Sequence, residues 1–85
     1  EELDLSMNQL TGPIPPQLGQ LRMLRDLRFG DNQLSGPLPR TLMSLELDLF
    51  WFTGTNLCEP PDWEFQRWLA SIPKLKRTAV LCRKG

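Results

Sequence analysis

Apolar and polar residues alternate over short stretches of the chain, and the stretches recur at a fixed interval. In Glu2-Leu3-Asp4-Leu5 and again in Asp26-Leu27-Arg28-Phe29, two apolar side chains fall on one side of an extended segment and two polar ones on the other. Shifting the chain by 24 residues places Leu3 on Leu27, Asn8 on Asn32, Gln9 on Gln33 and Leu10 on Leu34. The same shift places Gly12 on Gly36, Pro13 on Pro37, Pro15 on Pro39, Leu18 on Leu42 and Leu21 on Leu45. A degenerate third copy follows at an offset of 23, where Leu24, Leu27, Phe29 and Leu34 map onto Leu47, Phe50, Phe52 and Leu57. There the asparagine position becomes Thr55, and Gly36-Pro37-Leu38-Pro39 gives way to Glu59-Pro60-Pro61-Asp62. Self-similarity at such a period is the signature of a solenoid, in which each repeat buries its apolar side on its neighbours.

Each period predicts the same succession of elements. Leu27-x-Phe29 is a short strand with both apolar side chains inward, and Asn32 sits where the chain turns sharply. A side-chain amide at that point can bond the backbone groups that the turn leaves unpaired, a structural role shared by Asn8 and, in degenerate form, Thr55. The Gly-Pro-Ile-Pro and Gly-Pro-Leu-Pro segments cannot be helix interior and should be extended on the outer side of the coil. Leu18 and Leu21, then Leu42 and Leu45, should return the chain through short helical or 3₁₀ turns. After the repeats, Phe65, Trp68, Leu69 and Ile72 recur at helical spacing between an Asp62 cap and Pro73, which predicts a helix over about 62–72.

The run Leu24-x-x-Leu27-x-Phe29-x-x-Asn32-x-Leu34-x-Gly36-x-Leu38-Pro39 resembles the plant-specific subclass of leucine-rich repeats, over residues 1–57. That family includes receptor-kinase ectodomains, inhibitors of cell-wall-degrading enzymes, and bacterial surface or secreted proteins. Residues 52–62, followed by Trp68-Leu69, resemble the capping end of the bacterial members. The resemblance implies an α/β solenoid, a right-handed superhelix with a short parallel sheet on its concave side. About two and a half repeats (1–57) would then be followed by a C-terminal capping segment (58–85). The cap helix should turn its apolar stripe toward Leu57 and Phe52.

Cys58 precedes the expected helix and Cys82 follows it, so a disulfide between them would clamp the cap at both ends. Closing a loop of about 25 residues in this way is worth roughly 3–4 kcal/mol. A persistent structural disulfide implies an oxidising, extracellular or cell-surface setting.

Charge and composition narrow the chemistry. Ten basic and ten acidic side chains cancel, which removes the electrostatic argument for nucleic acid. The cancellation hides a segregation: residues 1–62 carry a net −5 and residues 63–85 a net +5. No apolar run is long enough to span a bilayer, so no membrane insertion is expected from this segment. The absence of histidine excludes Ser-His, Cys-His and His-metal arrangements, and the single glycines belong to the repeat rather than to a phosphate loop. Asp4, Asp26 and Asp48 are best read as a solvated face. No enzyme, metal site or cofactor is expected.

Binding is expected instead on the positions that flank the inward strand residues. Glu2, Asp26 and Leu49 form one column, Asp4, Arg28 and Trp51 a second, and Ser6, Gly30 and Thr53 a third, bordered by Met7, Asp31 and Gly54. The candidate ligand contacts are Asp4, Ser6, Asp26, Arg28, Leu49, Trp51 and Thr53. Arg28 should stand one strand spacing from Trp51, close enough to lie over the indole. Trp51 is either an exposed contact residue or is buried beneath the cap. The expected function is non-catalytic extracellular recognition of a protein or peptide, with carbohydrate binding or a purely structural end cap as alternatives. The chain opens on Glu1-Glu2-Leu3 and reads as a fragment of a longer array, so self-association through an uncapped N-terminal face is also expected.

Overall fold

Two parallel sheets are built by one recurring coil in the computed structural model, which describes residues 1–83. Strands β1 (Glu2–Asp4), β3 (Asp26–Arg28), β5 (Leu49–Trp51) and β7 (Lys74–Lys76) form a four-stranded sheet in that order. Strands β2 (Thr11–Gly12), β4 (Gln33–Pro37) and β6 (Asn56–Cys58) form a second, three-stranded sheet. The Gly-Pro segments were expected only to be extended; from Thr11 to Gly12 and from Gln33 to Pro37 they are also paired. The return segments are 3₁₀ turns at Pro16–Gln20 and Arg40–Ser44.

Register explains the core. Leu3, Leu27, Phe50 and Leu75 stand opposite one another across the four strands. Leu27, Phe50, Phe29 and Phe52 are fully buried, and they are joined by Leu34, Leu38, Leu42, Leu45 and Leu57 from the rest of each coil. The rings of Phe50 and Phe52 lie 4.7 Å apart, and Phe29 meets Phe50 edge-on at 6.2 Å. Each coil is too thin to bury these groups alone; stacking is what removes them from water.

The turn after each inner strand has a fixed chemistry. Met7, Asp31, Gly54 and Ala79 occupy the left-handed region, with φ of 55°, 59°, 70° and 60°. The next residue in the first three turns carries the bonding side chain. Asn32 is buried; its amide donates to the carbonyls of Leu5, Phe29 and Gly30 at 2.8, 2.7 and 3.3 Å, and its oxygen accepts the Leu10 N–H at 3.2 Å. One side chain therefore satisfies two successive coils. Thr55 does a smaller version of this, donating to the Phe52 carbonyl and accepting from the Leu57 N–H.

Beyond β6 lies helix α1, Trp63–Ala70, shorter than the expected span of 62–72. Asp62 is its N-cap, accepting the Phe65 N–H at 3.1 Å, and Ser71 its C-cap. The helix stops where Pro73, with no N–H to offer, approaches. Phe65, Leu69 and Ile72 are buried, while Trp68 packs 6.0 Å from the Phe50 ring and donates its indole N–H to the Leu45 carbonyl at 3.0 Å. The aromatic neighbour of Trp68 in the coil is thus Phe50 rather than Phe52.

After the helix the chain re-enters the sheet as β7, a strand absent from the expected pattern. The residue after β5 is Phe52; the residue after β7 is Arg77. Its guanidinium meets the fully buried Glu59 at 2.6 and 3.0 Å, with Gln66 and the Ala79 N–H completing the carboxylate's bonds. Cys58 and Cys82 are joined by a disulfide beside this pair, with Cα atoms 4.9 Å apart. Burial pushes the Glu59 carboxyl up, but the hydrogen bonds from Arg77, Gln66 and Ala79 outweigh it and hold the group below its ordinary value.

Two predictions follow from these bonds. Asn32→Ala should lower stability by about 1–3 kcal/mol, because it leaves several turn groups unpaired, and Thr55→Ala should cost less. Denaturant midpoints read this directly; equal losses would contradict the bridging role of Asn32. Because the Glu59 value is depressed on folding, its contribution is present at neutral pH and disappears as pH falls through the folded value. Glu59→Gln should cost about 2–3 kcal/mol at pH 7, less than a wholly buried pair since Arg77 is 33% exposed. The penalty should shrink on acidification below pH 4; a pH-independent difference in thermal unfolding would contradict the ion pair.

Candidate functional site

The face of the four-stranded sheet that points away from the core gathers most of the expected contact residues. Pleating exposes the first and last residue of each strand and turns the middle one inward. Register then aligns Glu2, Asp26, Leu49 and Lys74 in one row and Asp4, Arg28, Trp51 and Lys76 in the next. Leu49 and Trp51 are half-buried, flanked by polar neighbours on both sides. Ser6, Gly30 and Thr53 continue the face beyond the strands. Asp48, the third member of the aspartate set, lies just outside β5 and its carbonyl accepts the Lys74 N–H.

The charged residues on β3 are already engaged. Arg28 donates two parallel hydrogen bonds to Asp26, at 2.8 and 2.9 Å, and approaches Glu2 at 3.8 Å. That pairing holds the Asp26 carboxyl below its ordinary range and raises Arg28. Asp4 is lowered by the Ser6 hydroxyl, then by the Ser6 N–H, which it accepts at 3.0 Å. Both Asp4 and Asp26 are therefore held away from the near-neutral value that general acid–base work at pH 7 calls for.

Trp51 is neither freely exposed nor covered by α1. Its indole N–H donates to Thr53 Oγ1 at 2.6 Å, and its ring rests on Gly30, where a Cβ would overlap the indole. Arg28 is committed to Asp26 and does not lie over the ring, contrary to the expectation from strand spacing. The cation in that position is Lys76, whose ammonium lies over the ring at 5.6 Å from its centre. Lys74 and Lys76 are the site residues that sequence reasoning missed. The signal was there: Lys74-Leu75-Lys76 repeats the charged–apolar–charged pattern of Glu2-Leu3-Asp4 and Asp26-Leu27-Arg28, but it stands in the basic segment beyond the helix, outside the period of the repeats.

Asn8, the counterpart of Asn32 in the first turn, is exposed and donates to the Leu5 and Ser6 carbonyls at 3.0 and 3.2 Å. At that end of the stack, Leu5, Leu10, Ile14, Leu18, Phe29 and Leu34 line an apolar groove of about 270 Å³. Among the described residues, no helix is long and apolar enough to cross a membrane. A family model described as Leucine Rich Repeat matches residues 1–21 and 23–45, the two regular periods. No curated protein matches the chain.

Gly30 is the position on which the Trp51 geometry turns. Gly30→Ala should push the indole off the sheet and break its bond to Thr53, shifting the Trp51 indole N–H resonance toward that of Thr53→Val. An unchanged resonance would show that the ring does not rest on Gly30.

Proposed function

The chain belongs to the leucine-rich-repeat family, and from that premise we propose that it is a non-catalytic extracellular recognition module. Leucine-rich-repeat domains generally mediate protein–protein interaction. In this reading a protein or peptide ligand lies on the outward face of the four-stranded sheet, the concave side of a right-handed superhelix. Residues 1–57 serve as the repeats, of the plant-specific type and most like bacterial secreted members, and 58–85 as the cap with its helix. The observation that carries the reading is the pair Leu49 and Trp51, apolar side chains held half-exposed on a hydrogen-bonded strand between charged neighbours. A rigid aromatic with a polar rim is the composition of a contact hot spot. The Cys58–Cys82 disulfide supports secretion or surface display.

Carbohydrate stacking on Trp51 is the weaker alternative, because the indole already rests on Gly30 and carries Lys76 over its ring. Self-association is a separate part of the proposal, supported by the apolar groove around Ile14 and by β1 lying at the edge of its sheet.

Peptides selected on the immobilised chain from a displayed random library should bind Trp51→Ala and Leu49→Ser about tenfold more weakly, the loss typical of a central contact. Selected peptides indifferent to both substitutions would contradict the proposed face. Glycan-array binding that vanishes in Trp51→Ala would favour the carbohydrate alternative. Sedimentation across a concentration series should show self-association, and a monomer throughout would exclude that part.

A further inference from the structure

Charge changes sign from one side of the outward face to the other. On β1, Glu2 and Asp4 are both acidic and exposed; on β7, Lys74 and Lys76 are both basic and exposed. Between them, Asp26 and Arg28 cancel through their paired hydrogen bonds, and Leu49 and Trp51 are uncharged. Among the described residues, neither lysine lies within ion-pair distance of a carboxylate. Glu2 approaches Arg28 only at 3.8 Å. Neighbouring strands stand about 4.8 Å apart, so the three intervals from β1 to β7 span about 14 Å, the length of four to five extended residues.

We propose that this face selects an extended peptide segment running across the strands, with its basic and acidic side chains at opposite ends. A base would stand over Glu2 and Asp4, an apolar side chain against Leu49, and an acid over Lys74 and over Lys76, whose ammonium lies across the Trp51 ring. The proposal rests on the outward face being the binding surface and adds the chemistry of what it takes. Half-exposed ion pairs contribute modest affinity, so the consequence is discrimination. A peptide with like charges at both ends satisfies one edge of the sheet and is repelled by the other.

The test selects random decapeptides at low salt on four forms of the chain. These are the wild type, Lys74→Glu with Lys76→Glu, Glu2→Lys with Asp4→Lys, and all four substitutions together. Circular dichroism checks that each is folded. The wild type should enrich peptides with a base and an acid four to five residues apart around an apolar side chain. Reversing the lysines should shift preference about tenfold toward peptides with two bases, and reversing the acids should shift it equally toward two acids. The four-substitution form should recover the mixed-charge peptides. Should a reversed form fail to fold, Lys74→Gln with Lys76→Gln should lose the requirement for the acid alone.

Enriched peptides without this charge spacing, unaffected by the reversals yet lost with Trp51→Ala, would overturn the inference and leave the proposed function standing. No enrichment on any folded form, or enrichment indifferent to every substitution, would overturn both.

Discussion

The parallel register between successive coils is the constraint on which the rest of the structure depends. One ladder bond recurs through the stack: Leu5 N–H to the Arg28 carbonyl, Phe29 to Trp51, and Phe52 to Lys76, at 2.8, 2.7 and 2.8 Å. These bonds keep Leu3, Leu27, Phe50 and Leu75 opposite one another. A slip of one residue would exchange the inward and outward sets and expose the aromatic core. The outward rows of charged and apolar side chains are therefore a by-product of the same register that makes the core. Asn32 reinforces it at the turn, where a single amide binds carbonyls of two coils.

At the far end of the stack the means of cohesion changes. The position after the inner strand is Leu5, then Phe29, then Phe52, and finally Arg77, so the apolar column ends on a cation. Its partner Glu59 is fully buried beside the Cys58–Cys82 disulfide, and Cys82 donates its N–H to the Glu59 carbonyl at 2.9 Å. A buried ion pair is costly to desolvate and adds little net stability over a well-packed apolar pair. It does, however, hold β7 in one arrangement, because among the described residues Arg77 pairs with Glu59 and with no other carboxylate. Through β7 it fixes where Lys74 and Lys76 stand on the outward face.

Much of this was legible in the residues. The self-match at 24 residues located β1, β3 and the turn side chain Asn32, and the degenerate copy at 23 located β5, Thr55 and the outward columns through Trp51. Asp62 as a cap and the Phe65–Leu69 stripe followed from helical spacing. The fourth strand was not legible, because the helix interrupts the period and β7 returns at an offset of 25 from β5 with Arg77 in an apolar place. Periodicity is blind to a strand whose inward residue is charged and paired with something remote. For the same reason Glu59, which stands where the repeat pattern gives way to Glu59-Pro60-Pro61-Asp62, carried no sign of being a buried anion. The Arg28–Trp51 contact failed for a local cause: Asp26, two residues away on the same face, offers Arg28 two charged hydrogen bonds, and these exceed what the face of an indole provides.

Amide hydrogen exchange followed by NMR tests the central claim, that coil stacking passes through the helix and ends in β7. The Phe52 N–H bonds the Lys76 carbonyl and the Lys74 N–H bonds the Asp48 carbonyl, so both report β5–β7 pairing alone. They should be protected to within about tenfold of the Phe29 and Asp31 amides, which report β3–β5. Near-unstructured exchange at Phe52 and Lys74, with Phe29 and Asp31 still protected, would end the sheet at β5 and remove the basic edge from its outward face.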